Sequence, residues 1–577
     1  MCLDNSLMMT SPAIDSAVLE LAEGPFCLFC GAGISLYSDV PLAGTLVTAV
    51  LDLVGMNDGT KSEFLSVQLP FESVMEVLLQ ATGLQDLFKV FQGTKPNQDH
   101  VLFARLAARG FLSTVVTTNF DTFLEDSLNE QGVPFDLYYR DQELRRISWN
   151  SGRVQLLKLH GTLRDPRSLA ITIRGVANQT LVANRAEALL ELLGHPGIRV
   201  ILIIGYSCSD RFDIGPAIRR VPSTSQRILF VQHVDVPPAD ATLDDIAVWE
   251  ENPFSRFVGN VLRCNADDLL NAACGRLLGA PISEPVRPAG IWRDYLTRWH
   301  NNALFKYGKN LNSYLAGHLL QRAGRYKRST ELLEQFVAVN TQMGLQISAF
   351  QTIGDNYRDL GRCHEALENL RIALELSRAC RLPLGQARAL GSIGIVLEDL
   401  GDHSRAISCY KRAMRLSRRA RNKEIEGKCN GNAGIAYKSI GDRNSLMKSV
   451  LYHENALRIA RIIGDKASEG RTLGNLGVTH KYLDDTQKAL DYYKQALSIA
   501  EDLGDVRHIG IWTANAGMDI VDVSPLAARN YLERAIRIFS NLDLHHYVKE
   551  CEDSLKKIKV NPDASSSPGP TMDGEAQ

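Results

Sequence analysis

Four short apolar segments of the sequence each run into glycine or into polar side chains that can take part in chemistry. The residues that follow these segments are Gly31-Ala32-Gly33-Ile34-Ser35, then Thr118-Asn119-Phe120-Asp121, then His160-Gly161, then Gly205-Tyr206-Ser207 with Asp210 shortly after. Glycine-rich turns let backbone N–H groups approach a phosphate. An imidazole with a pKa of about 6.5 accepts a proton near neutral pH, and an amide can orient water because it both donates and accepts hydrogen bonds.

Each of these segments also has a purely structural explanation. A Gly-x-Gly turn after a strand can be a plain tight turn, Asn119 can cap the helix that follows it, and a lone histidine such as His160 is more often structural than catalytic. Four such segments in one region favour a single shared site, with a nucleotide as its ligand.

The elements that must position these residues are short strands alternating with amphipathic helices. The predicted strands are Pro25–Cys30, Leu112–Thr117, Val154–Leu159, Arg199–Gly205 and Ile228–Val234. Near-continuous apolar runs of this kind suit the central strands of a parallel sheet that is covered on both faces. In such α/β sheets the ligand binds at the carboxyl ends of the strands, where the polar residues lie.

The second half of the chain carries an internal repeat of about 40 residues. One series of glycines (Gly354, Gly394, Gly434, Gly477, Gly517) advances in parallel with a series of alanines (Ala373, Ala413, Ala456, Ala496, Ala535). Both series share one three-residue insertion, so the periodicity is not accidental. Each unit predicts a helix, a turn and a second helix, and the units resemble tetratricopeptide repeats of the long kind.

These patterns divide the chain into five predicted parts. They are an N-terminal segment 1–20, an α/β domain 21–240, a helical connector 241–309, an all-α solenoid of about six repeats 310–545, and a helix end with a disordered tail 546–577. Residues 560–577 have no apolar periodicity.

The four strand-end motifs, in this order and spacing, resemble the sirtuin-type NAD-binding domain and, more closely, the sirtuin-like NAD hydrolases of immune defence. Pro70–Val74 and Pro96–His100 are also similar to segments of that group. The resemblance implies a Rossmann-like fold, with NAD as the substrate. It assigns cofactor contacts to Gly31, Ala32, Gly33 and Ser35 on the diphosphate turn, to Asp121 near the nicotinamide ribose, and to Gly205 and Ser207 on the adenosine side. Asp210 would help to order the loop on the adenosine side, and Thr118 would be a further contact.

The same resemblance implies cleavage of the bond between nicotinamide and ribose through an oxocarbenium-like transition state. Asn119 would orient the attacking water, and His160 would act as general base toward water or a ribose hydroxyl. The expected products are nicotinamide and linear or cyclic ADP-ribose.

The sequence departs from the sirtuins that remove acyl groups from proteins. The phenylalanine and arginine that those enzymes place after the glycine turn are missing from Ser38–Gly44. No cysteine lies between Cys30 and Cys208, so their four-cysteine zinc module is not expected there, and no metal is predicted. A protein deacylase, an ADP-ribosyl transferase and a non-catalytic NAD-sensing adaptor remain alternatives.

Charge and composition bear on partners and location. The first 300 residues are acidic overall and the remainder is basic, which suggests contact between the two parts or with different partners. The repeats are expected to bind a protein or peptide trigger or to support a homo-oligomer. In this hypothesis they inhibit the enzyme until the trigger binds or the subunits assemble. The basic cluster 411–423 has few aromatic residues near it, which makes nucleic acid an unexpected partner.

The N-terminus and the cysteine content indicate an intracellular protein. Met1–Ala22 has no basic n-region, the longest apolar run, Val200–Tyr206, is too short to span a bilayer, and 11 cysteines in a long chain fit reduced thiols better than disulfides. A cytoplasmic location without membrane attachment is therefore expected.

Overall fold

The computed structural model describes residues 11–82, 87–140, 142–170, 179–208, 214–221, 226–249, 252–279, 289–503 and 505–558. The chain divides into two compact units, unit 1 (Met1–Ala323) and unit 2 (Gly324–Gln577), which are described in turn.

Unit 1 is built on one sheet of eight strands. The strands are β1 Phe26–Cys30, β2 Leu112–Thr117, β3 Phe135–Tyr138, β4 Val154–Lys158, β5 Val200–Ile204, β6 Arg227–His233, β7 Thr242–Asp245 and β8 Val258–Cys264. Their order across the sheet is β3-β4-β2-β1-β5-β6-β8-β7, and every neighbouring pair is parallel except β7 and β8. The expected α/β fold is confirmed, since all five predicted strands are present in this sheet.

The helices of unit 1 are α1 Pro12–Ala22, α2 Ala43–Leu53, α3 Asp58–Ser66, α4 Phe71–Thr82, α5 Gln98–Ala108, α6 Phe123–Glu130, α7 Gln179–Leu193, α8 Ile214–Arg220, α9 Ala266–Leu278, α10 Ile291–Tyr307 and α11 Leu311–Arg322. Helices α1, α5, α6 and α9 pack on one face of the sheet, and α7 and α8 pack on the other. Alternate side chains of β1 enter opposite cores, with Phe26, Leu28 and Cys30 on one face and Cys27 and Phe29 on the other. Cys27 and Cys30 therefore point apart, each fully buried.

The segment predicted as a helical connector, 241–309, has a different structure. Strands β7 and β8 fall within it and extend the sheet, and the helices α9 and α10 follow them. The first predicted repeat also begins differently, because α11 belongs to unit 1. Its Asn312 donates a hydrogen bond from Nδ2 to the backbone carbonyl of Leu53 (3.2 Å), and Arg322 lies 3.8 Å from Glu76 of α4.

Unit 2 consists of antiparallel helix pairs, as the repeat predicted. The helices are α12 Tyr326–Val339, α13 Met343–Asp359, α14 Cys363–Ala379, α15 Pro383–Asp399, α16 His403–Arg419, α17 Lys423–Ile440, α18 Arg443–Ile463, α19 Lys466–Tyr482, α20 Thr486–Asp502, α21 Val506–Asp519, α22 Pro525–Asn541 and α23 His545–Lys557. The inserted residues lengthen α18 by about one turn.

The repeating glycines are the points where paired helices touch. A Cβ at Gly394 would lie 2.4 Å from the ring of Tyr410, and one at Gly477 would lie 2.5 Å from the ring of Tyr493. Only glycine leaves room for these side chains, which explains the regular spacing of the series.

Among the described residues, no single helix has the length and apolar character needed to cross a bilayer. Two consecutive helical segments, Ala32–Ser38 and Ala43–Leu53, reach that composition only together and are bent by 63° at their junction.

Candidate functional site

The glycine turn after β1 is locked against the end of β5. The N–H of Gly33 donates to the carbonyl of Gly205 (3.0 Å), and the N–H of Gly31 donates to that of Ile204 (3.3 Å). A Cβ on Gly31 or Gly33 would come within 2.6 Å of the Gly205 backbone, and Gly205 itself has φ +66°. These glycines therefore allow two neighbouring parallel strands to end in direct backbone contact.

Ser35 connects this turn to the end of β2. It lies in the 3₁₀ helix Ala32–Ser38, which starts at the expected contact residue Ala32, and its side chain is fully buried. Its hydroxyl donates to Asp121 Oδ2 (2.8 Å) and accepts from Asn119 Nδ2 (3.0 Å). The structure thus brings together three residues that sequence analysis placed in one site, through side-chain bonds that span more than 80 positions of the chain.

The loop after β2 is held by hydrogen bonds to Thr117 of β2, to Cys30 of β1 and to the start of α6. The N–H of Asn119 donates to Thr117 Oγ1 (3.1 Å), and the N–H of Thr118 donates to the carbonyl of Cys30 (3.2 Å). Asp121 Oδ1 accepts from the N–H of Phe123, the first residue of α6 (3.2 Å). Asn119 therefore does not cap this helix, whose N-cap residue is Thr122, and the Asn119 side chain is directed to Ser35 instead.

His160 occupies the matching position after the neighbouring strand. Thr117 of β2 pairs with Lys158 of β4, so Asn119 and His160 each stand two residues beyond the last paired residues. His160 is 8% exposed and Asn119 is 7% exposed. The carbonyl of His160 accepts from the N–H of Ala170 (3.0 Å), which fixes the backbone at the strand end.

A buried ion pair lies next to the loop that carries Asp121. Lys158 Nζ donates to Glu125 Oε1 (3.0 Å) and to the backbone carbonyl of Asp121, and both charged side chains are 1% exposed. Burial raises the pKa of Glu125, and the charge of Lys158 opposes that shift. The bond from Lys158 to the Asp121 carbonyl ties the Asp121 loop to β4. Removing either partner of the ion pair would leave a buried charge uncompensated.

His100 is a member of this cluster that sequence analysis did not assign. Its Nε2 lies 3.2 Å from Ser35 Oγ, and its Nδ1 accepts from the N–H of Asn97 (3.2 Å) at the start of α5. The pKa of His100 is lowered to about 4, mainly by burial. The ring is therefore neutral at physiological pH. The spacing Asn97-x-x-His100 forms a capping box at the start of α5, and it is the sequence signal that could have found this residue.

The remaining predicted contacts lie along the same edge or outside the described residues. Gly205 touches the glycine turn, and Ser207 is exposed two residues further on. Asp210 lies outside the described residues. Within the described part of the chain, no group of three or more His, Cys, Asp or Glu side chains is arranged to hold a metal ion.

The arrangement can perform acid–base chemistry on a polar ligand at the sheet edge. The Asn119 amide and the Asp121 carboxylate follow the carboxyl end of β2, and His160 follows that of the neighbouring β4. Burial strengthens the electrostatic interactions of these groups. Two N–H groups of the glycine turn, those of Gly31 and Gly33, already have backbone partners. A phosphate at this turn would therefore be bound by other groups of the edge.

Two family models match parts of the chain. A SIR2-like domain matches residues 113–252, which contain Asn119, Asp121 and His160, and a tetratricopeptide repeat matches residues 345–419 and 447–502. The chain therefore combines a SIR2-like domain with a tetratricopeptide repeat region. No curated protein matches the chain.

Three solved structures illustrate the similarity of parts of the chain to known proteins. BtubC (BKLC) from P. vanneervenii is 21% identical, with 36% of this chain and 85% of that chain covered and a TM-score of 0.31. The apo form of RapI is 14% identical, with 43% and 98% covered and a TM-score of 0.36. Aspartyl phosphate phosphatase F from Bacillus subtilis is 12% identical, with 48% and 78% covered and a TM-score of 0.34.

Proposed function

We propose that unit 1 is an NAD+ glycohydrolase, which cleaves the bond between nicotinamide and ribose to give nicotinamide and ADP-ribose. The observation that carries the proposal is the equivalent placement of Asn119 and His160 after two neighbouring parallel strands, with both side chains largely buried. The match of residues 113–252 to a SIR2-like domain supports an NAD-related activity at this edge.

The chemistry follows from the properties of these two side chains. As the C–N bond breaks, nicotinamide leaves with the bonding electron pair and positive charge develops on the ribose. A water molecule held by the Asn119 amide adds its oxygen to the ribose carbon. The proton that this water loses passes to a ring nitrogen of His160, which acts as the general base.

Ser35 acts in this proposal as a positioning residue and not as a diphosphate ligand. Its single proton is donated to Asp121, and its oxygen accepts from Asn119 Nδ2 and lies within hydrogen-bond distance of His100 Nε2. A hydroxyl with these three partners has no further hydrogen-bonding capacity for a phosphate.

The test is nicotinamide release from NAD+ by the purified full chain, with products separated chromatographically. We expect His160→Ala and Asn119→Ala each to reduce release at least about 100-fold. His364→Ala and Asn129→Ala are the matched controls, because both side chains are exposed on helix surfaces, and they should leave release unchanged. Undiminished release in either site variant would contradict the assignment.

Adding an acyl-lysine peptide or a protein acceptor to this assay separates the competing functions. A deacylase would consume an acyl-lysine peptide together with NAD+, and an ADP-ribosyl transferase would label a protein acceptor. Binding of NAD+ without turnover under any condition would indicate an NAD-sensing adaptor.

We further propose that the repeats of unit 2 bind a protein or peptide trigger and regulate hydrolysis, within a homo-oligomeric immune or anti-phage effector. The tetratricopeptide match supports protein interaction by unit 2. Bacteria that express the chain should lose NAD+ on phage challenge, whereas bacteria with His160→Ala should not. Equal NAD+ levels in both strains throughout infection would contradict this role, and light scattering of the purified chain would give its oligomeric state.

A further inference from the structure

We propose that His100 is a positioning residue for this reaction: acting through Ser35, it determines which end of the Asn119 amide faces the substrate. The inference rests on the proposed function for its catalytic consequence, but the hydrogen-bond relay itself can be tested independently. The relay consists of three hydrogen bonds from the start of α5 to Asn119. At each group, the number of protons that it carries decides whether it donates or accepts.

The first step fixes the protonation of the His100 ring. A backbone N–H can only donate, so Nδ1, which accepts from the N–H of Asn97 (3.2 Å), carries no proton. The ring is neutral because it is buried, and a neutral imidazole keeps one proton. That proton is therefore on Nε2, the atom that lies 3.2 Å from Ser35 Oγ.

The second step fixes the direction of the Ser35 hydroxyl. Since His100 Nε2 carries a proton, it donates to Ser35 Oγ, and the hydroxyl must turn its own proton elsewhere. That proton is donated to Asp121 Oδ2 at 2.8 Å. Asp121 is held in place by its second oxygen, which accepts from the N–H of Phe123 (3.2 Å).

The third step fixes the Asn119 amide. With its one proton donated to Asp121, Ser35 can only accept from its third neighbour, so the amide must present its NH₂ group, which lies 3.0 Å away. If the Asn119 amide were turned by 180°, its carbonyl oxygen would face Ser35 Oγ, whose proton is already donated to Asp121, and no hydrogen bond could form. The Asn119 carbonyl is thereby directed away from Ser35, as an acceptor for water or a ribose hydroxyl.

A simpler role for His100 would be to cap α5 through Nδ1. Two conservative variants separate these roles. In His100→Gln, the side-chain amide reaches the position of Nε2 and can donate to Ser35, while the acceptor for Asn97 is lost. In His100→Asn, the shorter side chain can accept from Asn97 but does not reach Ser35.

The first measurement is kcat and KM for nicotinamide release by the full chain. We expect His100→Asn and Ser35→Ala to lower kcat about 10- to 100-fold with KM changed less than about threefold, and His100→Gln to retain most of kcat. The double variant His100→Asn/Ser35→Ala should be no slower than the slower single variant, because both changes interrupt one relay. Loss of kcat in His100→Gln with retention in His100→Asn would overturn the proposal in favour of simple capping.

The second measurement does not depend on activity. In protein labelled with ¹⁵N-asparagine, the side-chain NH₂ signal of Asn119, identified by its absence in Asn119→Ala, should be protected from hydrogen exchange in the wild type and in His100→Gln. It should lose that protection in His100→Asn. If the wild type releases no nicotinamide, the proposed hydrolase fails while this experiment still decides the relay, and equal protection in all three proteins would overturn it.

Discussion

At the scale of single residues, Asp99 is a buried carboxyl group close to the site. It follows the Asn97 cap of α5, is 5% exposed, and its Oδ1 has no hydrogen-bond partner within the described part of the chain. Burial, together with the nearby carboxylate of Asp267, raises the pKa of Asp99 to about 7. Asp267 is itself held by the hydroxyl of Tyr37 (2.8 Å).

Because the pKa of Asp99 is raised, we expect its contribution to the free energy of unfolding of unit 1 to fall as pH rises toward 7. Between its pKa of about 3.9 in the unfolded chain and about 7 in the folded protein, only the folded state holds the proton, so the free energy of unfolding falls over this interval and levels off above it. Between pH 5 and 8.5 the wild type should lose about 3 kcal/mol of unfolding free energy to this group, and Asp99→Asn should not show that loss. The measurement is denaturant unfolding of the full chain from pH 5 to 8.5, and parallel pH profiles for wild type and variant would contradict it.

Residue types and strand ends were enough to predict Asn119, Asp121 and His160 as neighbours, because parallel strands bring their carboxyl ends to one edge. The contact between His100 and Ser35 was beyond sequence reasoning. The two residues are separated by 65 positions and lie on a helix start and a 3₁₀ turn, and no local pattern specifies how such elements meet.

At the scale of elements, the glycine turn predicts a sharp difference between two glycine substitutions. Gly33→Ala would place a Cβ 2.6 Å from the Cα of Gly205, where neither backbone can move without disturbing a strand. We expect it to destabilise unit 1 by at least about 2 kcal/mol. Gly44→Ala is the control, because no atom lies within 4 Å of the added Cβ in α2, and it should be neutral or stabilising by about 0.4–1 kcal/mol. Thermal unfolding measures both, and equal effects would contradict the steric argument.

One helix pair of unit 2 contains a buried histidine where other pairs have leucine or tyrosine. His453 of α18 lies under Gly434 of α17, in the position that Leu370 occupies under Gly354. Neither ring nitrogen of His453 has a hydrogen-bond partner among the residues that the structure describes. Burial, with a smaller contribution from Lys438, lowers the pKa of His453 to about 3.

We therefore expect His453→Leu to stabilise this pair by about 1–3 kcal/mol, because it removes two unsatisfied buried nitrogens. The gain should increase below pH 6.5, since the unfolded chain binds a proton there that the folded wild type does not accept until about pH 3. Hydrogen exchange of α17 and α18 in the full chain at pH 5 and 7.5 tests this. Faster exchange in the variant at either pH would contradict it.

The strands that sequence analysis missed have weak apolar patterns, and the reason differs from strand to strand. β3 and β7 have only four residues each, and the polar sequence of β7 resembles a loop. In β8 the apolar pattern is interrupted by Gly259, which pairs with Ile228 of β6. A Cβ at this position would clash with the Ile228 backbone, so the glycine is needed for a packing contact that is visible only in the sheet. The long repeats of unit 2 were readable because one periodic pattern specifies every helix pair.

At the scale of the whole molecule, the boundary of unit 1 does not coincide with the first predicted repeat. Leu315 and Leu319 of α11 are fully buried, and Asn312 bonds both the carbonyl of Leu53 and the ring of His300 (2.7 Å). Cutting the chain at the start of the predicted repeats removes a helix that covers unit 1.

We expect a chain ending at Ala323 to unfold cooperatively and a chain ending at Lys309 to be several kcal/mol less stable, or to aggregate, because it exposes the surface that α11 covers. Calorimetry of the two truncated chains, with the full chain as reference, is the measurement. Identical melting profiles would mean that α11 adds nothing to unit 1.

Strand β1 lies between β2 and β5, and its alternate side chains enter the cores on both faces of the sheet. Neither face can therefore open without disrupting the packing of the strand that they share. Unit 1 should behave as a single unfolding domain whose slowest-exchanging amides lie in β1, and their exchange rate would report the global opening of the unit.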